Sequence, residues 1–307
     1  MSSLHVALVG ATGNLGPAIL DQLTKTPFII TVLTRVGSGA KVVLPSVGNV
    51  TVEEVDYDSP AALVAALKNV DVVISTLGFQ SLFETQKKLI DASIDAGVTR
   101  FIPSEFGNDS ANPNVRKLPV FAEKVKTQDY LLQKVSEHPS FSYTFVYNNS
   151  FFDWQLKIGF MVNLKEHTAT LYDGGDVPFS ATRLSTIGKA LVAVASHLEG
   201  TKNRHLYVHD TAVTQNKLIA LAKAVDGKQW TTTTVSTADV EQNAHKLLES
   251  GSQKDLLNAS LGFIARACWG SGYGGDFTTK LNNDILGIPL MSDEEVETMV
   301  REIMAGL

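Results

Sequence analysis

The sequence predicts an α/β protein built on a doubly wound parallel sheet, and two observations carry that expectation. Apolar, β-branched runs alternate with helical stretches through the first half of the chain, and the first run ends in a glycine-punctuated turn, VALVGATGNLG, from Val6 to Gly16. Continuous apolar runs such as HVALVG and VDVVIS suit strands covered on both faces, as parallel sheets require. In the turn, Gly10 lets the strand reverse without a Cβ clash. Gly13 lets backbone N–H groups approach a phosphate, and Gly16 lets the helix pack on the sheet. With Thr12, Asn14 and Leu15 between them, these residues form a Rossmann-type cradle in which a helix N-terminus faces a pyrophosphate.

The elements follow in order. A second strand, Ile29 to Thr34, delivers Arg35 to the place where such a fold reads the adenosine ribose. A carboxylate there would accept the two ribose hydroxyls of NAD, whereas a guanidinium forks onto a 2′-phosphate. Arg35, with Lys41 close behind and no Asp or Glu between Asp21 and Glu53, therefore favours NADP. A strand at Val50 to Val55, a helix at Ala61 to Leu67 and a strand at Asp71 to Thr76 continue the alternation. A helix from Phe83 to Ala96, a strand at Arg100 to Pro103, a helix near Phe121 to Glu137 and a strand at Ser142 to Tyr147 complete it. Ligands in open α/β sheets sit beyond the carboxyl ends of the strands. Here those ends carry Gly10, Arg35, then Thr76, Leu77, Gly78 and Phe79, then Pro103 to Gly107 with Ser104 and Phe106, then Asn148 to Phe152.

After Trp154 the pattern changes. Shorter strands are expected near Ala169 to Tyr172 and His205 to Val208, with helices near Ser185 to His197 and Gln215 to Val225. Residues 1–154 thus read as the dinucleotide-binding domain, and residues 155–307 as a smaller C-terminal α/β substrate-binding part interleaved with it. The stretch Phe263 to Phe277 sets Trp269, Tyr273 and Phe277 among glycines, and reads equally well as a flexible lid over a flat substrate or as a mobile surface loop. Ser292 with Glu295 three residues later marks the start of the last helix.

Composition bounds the function. The 307 residues are 44% hydrophobic, ample for a large core. A net charge of −6 with both signs mixed along the chain offers no basic face, so no nucleic-acid partner is expected. Cys268 is the only cysteine, which excludes an internal disulfide and a cysteine zinc site. His205 and His209 lie in HLYVH, which alternates like a strand, and no metal is expected there. A first strand beginning by residue 4 leaves no room for a signal peptide, and no apolar run approaches membrane-spanning length. A soluble cytoplasmic protein is expected, with no membrane partner. Nothing in the sequence fixes its oligomeric state.

The runs VALVGATGNLG, DVVISTLG, DAGVTRFIPSEFGND and FAEK, followed by SYTFVYNNSFFDW, resemble the isoflavone-reductase-like, NmrA-like branch of atypical short-chain dehydrogenases. That branch includes phenylcoumaran benzylic ether reductases and pinoresinol-lariciresinol reductases. The resemblance is strongest from residue 4 to about 154. It implies NADPH as hydride donor and one lysine acting as acid or base beside the nicotinamide, which the FxxK pattern places on Lys124. It also implies that Ser104, Phe106, Asn149 and Phe151 line the nicotinamide pocket. The stretch from Lys124 to Tyr143 is longer than in the plant reductases, and Ser150 stands where they tend to have cysteine.

A rival acid/base is present, because Tyr130 and Lys134 show the YxxxK spacing of ordinary short-chain dehydrogenases. At ~100° per residue, Phe121, Val125, Leu131, Leu132 and Val135 define one apolar helix face. Lys124 lies ~50° from its centre, whereas Lys126, Tyr130 and Lys134 lie more than ~120° away and are expected to point outward. A lysine at the edge of an apolar site loses hydration and has its pKa lowered toward working pH. The expected function is an NADPH-dependent reductase of a small aromatic or polyketide-like ketone, quinone or benzylic ether. Lys124 would be its catalytic residue, Arg35 its phosphate selector, and Phe106, Asn149, Phe151, Phe152, Trp269 and Tyr273 its substrate contacts. Asn149 serves equally well as a side chain that satisfies backbone at its strand end. Two alternatives stay open: a non-catalytic NADP(H)-sensing regulator that binds a partner protein, and an NADP(H)-containing isomerase.

Overall fold

The computed structural model describes residues 3–43, 49–78 and 82–307. It divides into two compact units: Met1–Phe106 with Glu123–Val146 and Ser185–Leu206, and Gly107–Ala122 with Tyr147–Leu184 and Tyr207–Leu307. In chain order the elements are β1 (His5–Val9), α1 (Gly16–Leu23), β2 (Ile29–Arg35), β3 (Val50–Val55), α2 (Pro60–Ala66), β4 (Val72–Ser75), α3 (Leu82–Ala96), β5 (Arg100–Ile102), α4 (Ala122–Glu137) and β6 (Ser142–Tyr147). There follow β7 (Ser150–Phe151), α5 (Phe152–Lys157), β8 (Thr168–Tyr172), β9 (Phe179–Thr182), α6 (Leu184–Ser196), α7 (Leu198–Thr201), β10 (Arg204–Tyr207) and β11 (Thr211–Val213). The chain closes with α8 (Gln215–Asp226), β12 (Thr231–Val235), α9 (Thr237–Ser250), α10 (Gln253–Trp269), α11 (Asn283–Leu286) and α12 (Asp293–Ala305).

The first unit is built on a seven-stranded sheet in the order β10-β6-β5-β4-β1-β2-β3. The pairings of β1 with β2 and β4, β2 with β3, β4 with β5 and β5 with β6 are parallel. Val6 sits in register with both Ile30 and Val72, and Val6 to Val9 are fully buried. The strand order reverses direction between β1 and β4, so their carboxyl ends part to leave a crevice. The Rossmann-type architecture read from the alternating runs is therefore the one observed.

Residues beyond 154 contribute to both units: Ser185–Leu206 belongs to the first, where β10 completes the sheet. Asn203 donates its N–H to the Tyr143 carbonyl at 2.9 Å and accepts from the Tyr143 N–H through its side chain at 3.1 Å. Buried Arg100 bonds Ser142, Thr144, Thr201 and the Leu198 carbonyl, tying β5, β6 and α7 together. Burial lowers its pKa to about 10. On α6, a Cβ at Gly188 would stand 2.8 Å from the Ala18 carbonyl of α1, so only glycine lets these helices approach.

The second unit holds a three-stranded sheet, β11-β9-β7, and the parallel pair β12-β8. Its core centres on Trp269, which is fully buried, stacked on Tyr172 at 4.5 Å and met edge-on by Phe179 at 5.3 Å. The lid-or-loop expectation for Phe263 to Phe277 is thereby overturned. Phe263 to Trp269 forms the last two turns of α10, and Phe263 and Phe277 are buried. Gly275 packs so tightly that a Cβ would lie 1.9 Å from the Cys268 carbonyl oxygen. The capping box read at Ser292 and Glu295 is present with both of its bonds at the start of α12. Among the described residues no helix is long and apolar enough to cross a membrane.

Candidate active site

The carboxyl ends of β1, β2 and β4 enclose a cleft of about 490 Å³ in the first unit. Gly10, Thr12, Gly13, Arg35, Lys41 and Thr76 to Gly78 line it. Phe79 lies outside the described residues. The three glycines do different work. Gly10 has φ +88°, and a Cβ there would stand 2.7 to 2.8 Å from Thr76, whose N–H and hydroxyl both donate to the Val9 carbonyl at 2.8 Å. At Gly16 a Cβ would meet the Gly10 carbonyl oxygen at 2.4 Å. At Gly13 the nearest atom is the Gly10 oxygen at 3.5 Å, an ordinary contact, so the protein itself does not require glycine there. The open face belongs to whatever fills the cleft, which fits a pyrophosphate brought against backbone N–H groups. Leu15 is turned inward, and Asn14 is exposed beside the helix start; neither lines the cleft.

At the other end, Arg35, Ser38 and Lys41 face the cleft together with Tyr57, whose hydroxyl donates to the Leu33 carbonyl at 3.1 Å. Among the described residues no carboxylate forms an ion pair with Arg35. Tyr57 and Ser38 were not singled out from the sequence, because neither belongs to a motif and only the fold brings them to the cleft. The donor set suits an adenosine ribose carrying a 2′-phosphate. Among the described residues no cluster of three His, Cys, Asp or Glu could hold a metal ion.

A buried polar chain runs from Leu77 in the cleft lining to α4, the helix that carries Lys124. Ser104, at the end of β5, donates its hydroxyl to the Leu77 carbonyl at 2.7 Å and its N–H to Gln86 on α3 at 2.8 Å. Gln86 in turn donates to the Thr127 hydroxyl at 3.3 Å, one turn of α4 beyond Lys124. Ser104 thus supports the cleft floor through Leu77. Lys124 is buried and donates its Nζ to the Glu105 carbonyl. Loss of hydration lowers its pKa, opposed by the charge of Glu105. Glu105, Gln86 and Thr127 were missed in the sequence, although a glutamine in the buried stripe of an otherwise apolar helix face is a readable signal.

The α4 face differs from the one predicted. Its buried residues are Lys124, Thr127, Gln128 and Leu131, whereas Val125 and Val135 are half-buried and Leu132 is 44% exposed. Tertiary hydrogen bonding, not apolar content, chose the inward stripe. Lys126 is exposed and pairs with Glu123 at 2.8 Å. Tyr130 is half-buried instead of pointing out, and its hydroxyl donates to Asp91 of α3 while Lys134 lies 5.3 Å from its ring. Burial, then the Asp91 bond, pushes its pKa up, the reverse of what an activated catalytic tyrosine needs.

In the second unit, Asn149 does not offer its amide to a ligand. Its Oδ1 accepts from Asn108 at 2.7 Å, and its Nδ2 donates to the Gly275 carbonyl at 2.6 Å with the Cys268 sulfur at 3.7 Å. With φ +50°, it is the residue type that tolerates this turn. Phe152 and Trp269 are also corrections as substrate contacts, since both are fully buried in the core of that unit. Tyr273 is buried beneath Arg266, 4.6 Å from its ring, with its hydroxyl bonded to Glu241. Phe151 is half-buried and lies edge-on to Trp154. Phe106 is buried at the end of the first unit's Ser104 loop.

The fold and cleft define a Rossmann-type protein with a glycine-turn nucleotide site and a buried lysine. The chain belongs to the NmrA-like family, whose model matches residues 2–259. It is 32% identical over 300 residues to a protein named oxidoreductase aprR of Aspergillus flavus, covering 96% of this chain and 97% of that one. It is 33% identical over 164 residues to a phenylcoumaran benzylic ether reductase of Pinus taeda, spanning 51% of this chain and 52% of the other. The solved complex of leucoanthocyanidin reductase with NADPH from Vitis vinifera superposes with a TM-score of 0.73 over 98% of this chain and 99% of that one, at 20% identity.

Proposed function

We propose that this protein is an NADPH-dependent reductase of a small aromatic or polyketide-like carbonyl, quinone or benzylic ether, with Lys124 as its acid/base. The buried Lys124, bonded to the carbonyl of Glu105 next to Ser104, whose hydroxyl holds Leu77 of the cleft lining, carries this reading. The names of the Aspergillus and Pinus relatives support an oxidoreductase and an aromatic substrate class.

Gly10 to Gly13 and the start of α1 would hold the pyrophosphate, and Arg35 and Lys41 the 2′-phosphate. Bound NADPH would supply a hydride to an electrophilic carbon. Lys124 would manage the proton. With a ketone or quinone, its Nζ gives a proton to the oxygen that gains charge. With a phenolic benzylic ether, the neutral amine takes the phenol proton so that the ring can open. Burial makes both forms accessible by lowering the cost of the neutral amine.

The test is NADPH oxidation against a panel of aromatic ketones, quinones and phenolic benzylic ethers, using cofactor deuterated at the transferring carbon. Deuterium in a reduced product establishes the reductase. A rearranged product without cofactor loss identifies an isomerase, and tight NADPH binding with no turnover of any panel member favours the sensor.

A further inference from the structure

The loop from Arg35 to Lys41, sequence RVGSGAK, carries the cleft's cationic end, and an acid from the neighbouring strand is folded into it. Glu54 lies on β3, paired in register with Thr34. Its two carboxylate oxygens accept from the Gly37 N–H at 2.8 Å and the Gly39 N–H at 2.7 Å. Both glycines serve that grip. Gly37 has φ +76°, and a Cβ on Gly39 would stand 2.7 Å from the Glu54 oxygen. The loop closes on itself through Ser38 N–H to the Arg35 carbonyl, Lys41 N–H to Ser38 and Val42 N–H to Gly39. The two amide bonds hold the Glu54 carboxyl below the usual carboxylate range, so it stays ionised at neutral pH.

We infer that Glu54 is a positioning residue for cofactor choice: it acts as an internal anion that fixes the Arg35 to Lys41 loop in the form that receives a 2′-phosphate. Alternate amides of a short glycine loop form a natural anion nest. Here the nest is filled from within, which orders the loop before any ligand arrives and leaves the Arg35 and Lys41 cations for the ligand. The same bonds keep the Glu54 carboxylate off a ribose diol, the role by which an acid in this region would favour NAD. This rests on the reading that the cleft takes NADPH.

The experiment is fluorescence titration of the full chain with NADPH and with NADH, for wild type, Glu54→Gln and Gly39→Ala, each first checked for a native melting transition. Glu54→Gln loses the charge and one acceptor, and Gly39→Ala drives the carboxylate out of the loop. Each is expected to weaken NADPH binding by about tenfold and NADH binding by less than about twofold, so the preference falls by nearly the whole tenfold. A role in general folding would weaken both cofactors alike, and that result overturns the proposal. So does an unchanged or tighter affinity for NADPH in Glu54→Gln, as expected if the acid merely repels the phosphate. Wild type that binds both cofactors equally overturns the cofactor reading and this proposal with it. Wild type that prefers NADPH while both variants keep the preference overturns this proposal alone.

Discussion

Alanine substitutions at Gly10 and Gly13, two glycines of one turn, should separate folding from binding. At Gly10, alanine must adopt φ +88°, costing about 1–2 kcal/mol, and its methyl would stand 2.7 to 2.8 Å from Thr76, adding an overpacking cost of about 1–3 kcal/mol. Gly10→Ala is therefore expected to lose about 2–5 kcal/mol of stability. At Gly13 the methyl meets nothing closer than 3.5 Å, and φ is not in the left-handed region. Gly13→Ala should be neutral, or more stable by up to about 1 kcal/mol through the stiffer unfolded chain. Its methyl would nevertheless stand on the cleft wall and hold a pyrophosphate away from the backbone. One or two charge-assisted bonds at about 1.5–3 kcal/mol each correspond to a loss of roughly ten- to ten-thousandfold in NADPH affinity. Urea unfolding and NADPH fluorescence titration on the same preparations read both quantities. Native-like NADPH affinity in Gly13→Ala, or a stability loss matching that of Gly10→Ala, would refute the assignment of the open glycine to the ligand.

Four further outcomes follow. Arg35→Asp should shift the NADPH-to-NADH affinity ratio toward NADH by roughly ten- to a hundredfold, read by titration with both cofactors. Asn149→Ala should cost about 2–5 kcal/mol in urea unfolding, because it leaves Asn108 and the Gly275 carbonyl without their partner and puts alanine at φ +50°. Trp269→Ala should cost about 3–5 kcal/mol, since the ring is fully buried against Tyr172; a near-neutral result would restore the lid. Lys124→Met should change the pH dependence of stability. With the folded pKa lowered, the unfolded chain binds more protons between that value and the ordinary lysine range, so wild-type stability rises with pH across this window. The variant should lack that rise in unfolding series run from pH 7 to 10, and an identical slope would show that burial does not perturb the lysine.

The first unit was largely legible because its signals are local. β3 and β6 fall on the residues expected, and the glycine turn, Arg35 and Thr76 reach the cleft because strand ends and turn chemistry fix their places. The second unit was not. β12 is a run of four threonines whose strand character appears only once β8 pairs with it in parallel, and β7, β9 and β11 are too short to show a period. Trp269 and Tyr273 looked like lid residues because glycines flank them, yet those glycines permit close packing. Apolar periodicity also misplaced the inward face of α4, where Thr127 meets Gln86 of α3, a polar partner no helical pattern encodes. The FxxK motif singles out Lys124, while its bond to the Glu105 carbonyl depends on a contact between α4 and the loop after β5 that no local pattern shows.

The most direct measurement is the rate of NADPH oxidation by wild type and Lys124→Ala at saturating substrate, with the NADPH dissociation constant determined for both. An acid/base lysine predicts a fall of about 10²–10⁴-fold in turnover with cofactor affinity within about twofold. Turnover in Lys124→Ala within about threefold of wild type would contradict it and remove Lys124 from the chemistry.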